Sequence, residues 1–420
     1  MENLDDYQLL QNFFQNLAIF LSKIQLYIAS VGIPINILHL ITLSQKSMRT
    51  NAINVLLIGI AISDLIHLTY YVHGHILDIL KAQDDARCVA PYTWSESIQR
   101  WILQYAKDTC RRNSTWLAVI MALIRAIVMR YNTNERVRWL LKPSTSISMV
   151  LSVTLISFLV SSVHWSRMMI YKFPDWTAPE FCQMYPVNST LPRYSLTENI
   201  VLAPYHYRIN QVYLLLDGTL RTIPPLLYPF LAGVLIFELQ RARKHRRALR
   251  NDSSGDNDSD KDNTSRIVIW MTFSYILVET PIGLTYLAQL QYIEDLDLAI
   301  LINNISIIFI TVLLLYCSLH CVICFLLNAQ YRKVIRGLLD WLLLYCKEIF
   351  RRNSTWLGLI LALIRAIVMR YCTHPKVEVL LKPLTSFKVL LSVTLISFLI
   401  STLYYARLRI VKYYDWDLPE

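Results

Sequence analysis

The chain has 420 residues, 55% of them hydrophobic and only 17% charged, with a formal net charge of +11 and a mean hydropathy of +0.37. A soluble domain of this size carries about a quarter charged residues, so the composition excludes that class. The basic residues flank apolar runs instead of forming a patch, which argues against a nucleic-acid partner.

The amino terminus, MENLDDYQLLQNFFQ, has no basic region and no small-residue cleavage site. The first long apolar run therefore reads as a signal anchor. Runs of about 20 to 25 apolar residues, enough to cross a hydrocarbon core, then recur along the chain. The first predicted helix covers roughly 19–43 and contains Gly32, Pro34 and Asn36. The second covers roughly 53–76, with Asp64 in its middle. An ionisable side chain at that depth needs a partner and marks a functional site.

The third predicted helix, roughly 98–131, is the one around which the rest is arranged. It contains RRNSTWLAVIMALIRAIVMRY, with Arg125 near one end and Lys107, Asp108, Arg111 and Arg112 about one leaflet away. A bilayer tolerates such charges only where they face a bundle interior, water or each other. At about 1.5 Å per residue the helix exceeds the hydrocarbon thickness, so it tilts or projects. Lys107–Arg111 and Asp108–Arg112 share helix edges, and Asp108 can satisfy Arg112 within the helix. At least one cation then needs a carboxylate from elsewhere.

A fourth helix is predicted over roughly 146–170, after a basic loop. The polar segment 172–207 holds Cys182 and the sequon beginning at Asn188. The fifth helix, roughly 209–239, carries Pro224, Pro225 and Pro229, which membrane helices tolerate when neighbours satisfy the freed carbonyls. Residues 241–266, a basic block followed by an acidic, serine-rich one, read as a disordered loop. The sixth helix, roughly 266–290, contains Glu279, the carboxylate expected to face Arg111 or Arg112, and Pro281. The seventh, roughly 298–327, leads into the amphipathic NAQYRKVIRGLL.

Lys and Arg concentrate on one side: Lys46, Arg49, Arg136, Arg138, Lys142, the 241–250 block with Arg243 and Lys244, and Arg332, Lys333 and Arg336. That side is read as cytoplasmic. The amino terminus, Cys88, Cys182 and Asn188 then lie outside. Cys88 and Cys182 are the cysteines in polar loops, and an oxidising compartment allows them to pair. Asn188 is the credible glycosylation site, because the other sequons lie in a helix or inside.

These features resemble a rhodopsin-like G-protein-coupled receptor: an all-α, seven-transmembrane helix bundle. MRTNAINVLLIGIAISDL resembles the second-helix signature, and GIPINILHL the first-helix one, with Asn36 in the asparagine's place. Ser114 and Arg125 stand at the spacing of the third-helix serine and the arginine of the DRY motif. KSMRT, RRNSTWL, MALIR, ETPIG and QYRK are similar, more narrowly, to the nematode class W serpentine receptors, which resemble peptide receptors. The resemblance implies an extracellular, peptide-like ligand, a heterotrimeric G protein as partner, a plasma-membrane location, and neither cofactor nor enzymatic activity. It implies a ligand region at Lys107, Asp108, Arg111, Arg112 and Glu279, and coupling through Arg125, Arg130, Arg243 and Lys244. A polar core of Asn36, Asp64, Ser114 and His320 and a Cys88–Cys182 disulfide complete the expected set. Departures are visible: Ile124 replaces the acid before Arg125, and His320, Cys321 and Cys324 stand where the seventh-helix signature has asparagine, proline and tyrosine.

Residues 341–420 repeat residues 101–180 at an offset of 240, without a gap, at roughly 47 of 80 identical positions. The sequence thus divides into a receptor domain, 1–336, and a partial duplicate of the third and fourth helices, 341–420, giving two extra carboxy-terminal hydrophobic helices. Starting inside, two more spans would place Arg370, Lys376 and Lys382 outside, against the positive-inside preference. One reading is a segment of a tandem neighbour joined to a complete receptor; the other is a nine-span protein. Runner-up functions are a chemosensory receptor for a small molecule and a transporter, since repeats and intramembrane charges are transporter features. A metal hydrolase is weaker, because His73, His75 and Asp64 come without an HExxH motif.

Overall fold

The computed structural model describes residues 2–82, 89–131, 137, 139–179, 182, 185–186, 189–249, 258–292, 295–370 and 383–414. Nine long helices are described: α1 (Glu2–Leu43), α2 (Ala52–Ala82), α3 (Trp94–Arg130), α4 (Pro143–Trp165), α5 (His206–Leu249), α6 (Asp258–Gln291), α7 (Leu296–Leu327), α8 (Ala329–Arg370) and α9 (Pro383–Tyr414). Segments in α1 to α5, α7 and α8 are long and apolar enough to cross a membrane, and α6 takes the sixth place in the bundle, between α5 and α7. The chain separates into two compact units, Met1–Arg332 and Lys333–Glu420, with the boundary inside α8.

In the first unit α1 packs on α2 and α7, α6 packs on α5 and α7, and α3 reaches α2, α4, α5 and α6. With 17% of its most apolar 18 residues buried, against 61% in α3 and 67% in α2, α4 is a peripheral helix, and contact with four other helices makes α3 the central one. Its start is fixed by a capping box: the Thr93 hydroxyl accepts from the Glu96 amide while the Glu96 carboxylate accepts from the Thr93 amide. Two glycines mark close helix contacts. A Cβ on Gly32 would collide with Ser318 of α7, and one on Gly283 of α6 would lie 2.6 Å from the Thr222 hydroxyl of α5.

Three elements differ from the sequence reading. First, α1 begins at Glu2 instead of near residue 19, because nothing between Asp5 and Val31 is a helix breaker. Second, α5 runs on to Leu249 and α6 begins at Asp258, so much of the stretch read as a disordered loop is helical. Arg, Lys, Ala and Leu in RARKHRRAL are good helix formers and extend an existing ladder without a new nucleus. Third, the polar segment after α4 contains an antiparallel hairpin, β1 (Met168–Thr177) with β2 (Thr190–Glu198). Its register shifts between Phe173 and Trp176, next to Pro174, which has no N–H for the ladder. The Tyr194 amide donates to the Tyr92 carbonyl at 3.1 Å and the Ser97 hydroxyl to the Tyr194 carbonyl at 3.4 Å, so the hairpin is tied to the start of α3.

The second unit contains residues 333–370 of α8 together with α9. Tyr345 donates toward the Phe398 carbonyl (3.4 Å) and lies 2.6 Å from the Thr402 hydroxyl, while Asn353 donates to Thr394 at 3.3 Å. The two helices therefore form an antiparallel hairpin.

Candidate functional site

The α3 charges fall on the half of the bundle nearer the β-hairpin, and each finds a different neighbour. Arg112 pairs with Asp217 of α5 and donates to the Ser161 hydroxyl and, at 3.0 Å, to the Ser157 carbonyl of α4. Asp217 also accepts from Arg221 Nε at 2.8 Å and from the Tyr213 hydroxyl at 3.2 Å. One buried carboxylate thus serves two guanidiniums. Arg112 does not take Asp108, the partner its own helix offers. The Asp108 carboxylate instead accepts from the Trp165 indole at 3.2 Å and lies 3.5 Å from Lys107, whose ammonium sits 4.4 Å from the Tyr70 ring centre. A helix edge brings residues four apart together, but Asp217 adds hydrogen bonds in full burial, where each unmade one is expensive.

Arg111 approaches Glu279 of α6 at 4.0 Å, with both side chains nearly fully buried. The pair is slack: Arg111 Nε and Nη2 and Glu279 Oε2 have no hydrogen-bond partner among the described residues. Deeper in the bundle, Asp64 lies 2.8 Å from His320 Nδ1 and accepts from Ser114 at 3.1 Å. Asn36 donates to the carbonyls of Gly32 (3.0 Å) and Cys317 (3.2 Å), joining α1 to α7. Between the two sets lies a cavity of about 10 Å³, touching Asp64, His67, Arg111, Glu279 and His320. It has room for about one water. The proposed ligand residues Arg111 and Glu279 are thereby continuous with the polar core, whereas Arg112 is sealed by α4 and α5.

At the opposite end Arg125 follows buried Ile124 and has no ion pair among the described residues. Arg130 lies 5.7 Å from the Tyr131 ring. Arg243 and Lys244 fall on the helical extension of α5, and their side chains are outside the described set, as are residues Cys88 and Asn188. Cys182 is disulfide-bonded.

The sequence reading missed four residues. Asp217 and Arg221 carried a legible signal, an acid–base pair four apart within an apolar run, the same rule that marked Asp64. His39 and Tyr331 carried none. His39 Nδ1 lies 2.7 Å from the Tyr331 hydroxyl, which also lies 3.3 Å from Cys321. Tyr331 is fully buried in the region where the tyrosine of the seventh-helix signature is replaced by Cys324.

A second, larger cavity of about 180 Å³ opens between α1, α2 and α3, toward the hairpin end. Its lining includes Tyr70, Tyr71, Asp78 and Arg100. The Tyr92 hydroxyl donates to Asp78 Oδ1 at 2.7 Å, and burial together with that bond raises the hydroxyl above its ordinary pKa, which keeps it a donor.

A seven-helix bundle with ion pairs buried between its helices, and a hairpin closing one end, defines a multi-pass membrane protein of the serpentine receptor class. The model of the serpentine type 7TM GPCR chemoreceptor Srw family matches residues 23–341 and, separately, residues 334–420; the chain belongs to that family. No curated protein matches it.

Proposed function

We propose that this receptor binds an extracellular peptide at the hairpin end of the bundle and activates a heterotrimeric G protein at the Arg125 end. The observation that carries the reading is the slack Arg111–Glu279 pair. It links α3 to α6 with unused hydrogen-bonding capacity on both partners, directly above the Asp64–His320 pair. A polar ligand group that takes over either side chain changes the α3–α6 contact while replacing the lost charge partner, with few hydrogen bonds to break. An arrangement with every bond satisfied would resist that displacement. The hairpin supports a peptide in particular, because the outer edge of β1 offers backbone groups for strand addition, whereas β2 is bonded through Tyr194 to Tyr92 and Ser97. In this reading the hairpin end is extracellular and the membrane is the plasma membrane. Arg125, Arg130 and the basic end of α5 with Arg243 and Lys244 form the G-protein surface, and Cys182 pairs with Cys88.

The size of the 180 Å³ cavity favours a second reading, a small-molecule chemosensory ligand. Agonist-dependent GTP exchange by the reconstituted full chain, screened with peptide and small-molecule pools, separates the two. The expected result is peptide-driven exchange that falls at least about tenfold in Arg125→Ala. Substrate flux through the protein without any G protein would sink both readings in favour of a transporter.

A further inference from the structure

The second unit repeats the α3–α4 pair, yet among its described residues it has no counterpart of α2, α5 or α6. Of the most apolar 18 residues, 61% are buried in α3 and 6% in α8. Ser114 and Thr115 are buried, whereas their equivalents, Ser354 and Thr355, lie exposed. Bonds that α3 makes to α4 return between α8 and α9, so the uncovered part of α8 is the face that α3 turns to its other neighbours.

The polar atoms on that face show what would cover it. Arg112 gives Nη1 to Asp217 of α5; Arg352 Nη1, at the matching position, is buried and meets no hydrogen-bond partner among the described residues. Ser161 accepts from Arg112, while the hydroxyl of Ser401, its equivalent, is buried with no such partner. Asn113 donates to Ser63 of α2 at 2.9 Å and accepts from Thr154 of α4 at 3.1 Å. Asn353 keeps only the α9 side, donating to Thr394 at 3.3 Å, and its Oδ1 is likewise unmatched among the described residues. Arg351 turns to Glu348 of its own helix, and its side chain stays 71% exposed.

Charge decides the kind of partner. Lys347, Arg351 and Arg352 outnumber Glu348 by two positive charges, as Lys107, Arg111 and Arg112 outnumber Asp108. In the first unit Asp217 and Glu279 meet that excess from neighbouring helices. In a membrane the second excess needs carboxylates in the same way. A second α8 brings the same cations and is repelled. A wholly apolar helix leaves the buried donors unmet in a low dielectric.

We propose that the uncovered polar face of α8 is a docking surface for a transmembrane helix of another protein, one that carries a carboxylate within its apolar run. The carboxylate accepts from Arg352 as Asp217 accepts from Arg112, and donors within a turn of it reach Asn353 Oδ1 and Ser401. The surface does not depend on the receptor function proposed above, because helix docking is measured without ligand or G protein.

The probe is a synthetic peptide of residues 206–238, the α5 segment with its own Asp217, carrying an acceptor dye. It is titrated into phosphatidylcholine nanodiscs that hold the donor-labelled full chain. Saturable energy transfer is expected, and Asp217→Asn in the peptide should weaken binding by about tenfold or more, as for a buried charge pair that loses one partner. Arg352→Leu in the full chain should cause a similar loss. Arg352→Lys, which keeps the charge, should lose less, and guards against a leucine variant that disturbs the α8–α9 pair. Equal binding of the unmodified and Asp217→Asn peptides overturns the carboxylate requirement. Binding that Arg352→Leu and Arg352→Lys both leave unchanged overturns the location, and absence of saturable transfer overturns the surface. Self-association of the full chain that the peptide displaces and Arg352→Leu abolishes assigns the face to a second copy and overturns a separate partner. Loss of peptide binding on adding phosphatidylserine assigns the face to lipid headgroups, with the same consequence.

Discussion

Residues 101–165 and 341–405 share most of their letters, yet the same side chains lead different lives in the two places. The hairpin itself is reproduced. Tyr105 bonds the Phe158 carbonyl (3.0 Å) and lies 2.7 Å from the Ser162 hydroxyl; Tyr345 does the same with Phe398 and Thr402, each 240 positions on. The Asn113–Thr154 bond returns as Asn353–Thr394. Ser157 and Ser161 are buried, and so are Ser397 and Ser401. These contacts lie within the two-helix unit, so the sequence of the pair is enough to rebuild them.

The charges do not return. Arg112 has Asp217, Ser157 and Ser161, while Arg352 Nη1 and the Ser401 hydroxyl are buried without a hydrogen-bond partner among the described residues. Arg111 faces Glu279 on another helix; Arg351 folds back on Glu348, one turn away, with its side chain 71% exposed. The lesson is that α3 and α4 encode their mutual packing, whereas the arginines of α3 are designed for α5 and α6. The family model matches the second stretch as well as the first, so both are receptor sequence. The first has α5 and α6 within its own compact unit to satisfy its charges, whereas among the described residues of the second unit Arg351 finds only Glu348 of its own helix.

The sharpest way to break this comparison is to remove the distant partner. Asp217→Asn leaves Arg112 and Arg221 buried against a neutral amide, and should destabilise the receptor by about 3–5 kcal/mol. Glu348→Gln, in the copy, should cost no more than about 1 kcal/mol, as for an exposed pair. Thermal unfolding of the two variants in nanodiscs measures both, and similar losses would mean that the two arginine sets are equally integrated.

Glu279→Gln comes next. It should raise basal GTP exchange by about tenfold, or about 1.4 kcal/mol of displaced equilibrium, if the slack pair restrains the inactive state. Unchanged basal exchange at equal surface level would reduce the pair to a fixed structural contact. A smaller effect is expected from Tyr105→Phe and Tyr345→Phe, each removing one interhelical hydroxyl and costing about 1 kcal/mol in its own unit. Amide hydrogen exchange in the α3–α4 and α8–α9 pairs should rise to a similar extent. A change at Tyr105 alone would show that the second hairpin is not assembled as described.

The smallest effect expected is from truncation after Arg336. Ligand-driven exchange and melting of the first unit should stay within error of the full chain. A truncated protein that no longer responds would make residues 341–420 a working part of the receptor and not a joined segment.

Some of this was legible in the letters. The apolar runs, set by the thickness a helix must span, gave the positions of the helices, and self-alignment gave the repeat. The family resemblance put Asp64 and His320 in one polar core, and they lie 2.8 Å apart. Glu279 was matched to Arg111 or Arg112 because an unpaired intramembrane cation requires a carboxylate. Local rules failed where a long-range partner outbid a near one. Asp108 is one turn from Arg112 and was the natural choice by spacing, but a carboxylate 105 positions away accepts from it in full burial. The β-hairpin was missed because two strands in a polar segment carry weak periodicity and owe their place to the start of α3.

Sequence alone thus determined a serpentine membrane bundle, its internal duplication and the identity of most intramembrane charges, because the bilayer's thickness and low dielectric leave a readable imprint on each helix separately. The tertiary structure decided which charge pairs with which, that the Tyr331 hydroxyl sits between His39 and Cys321, and that the larger cavity lies between α1, α2 and α3. Those outcomes depend on distances between helices that no single stretch of the chain encodes.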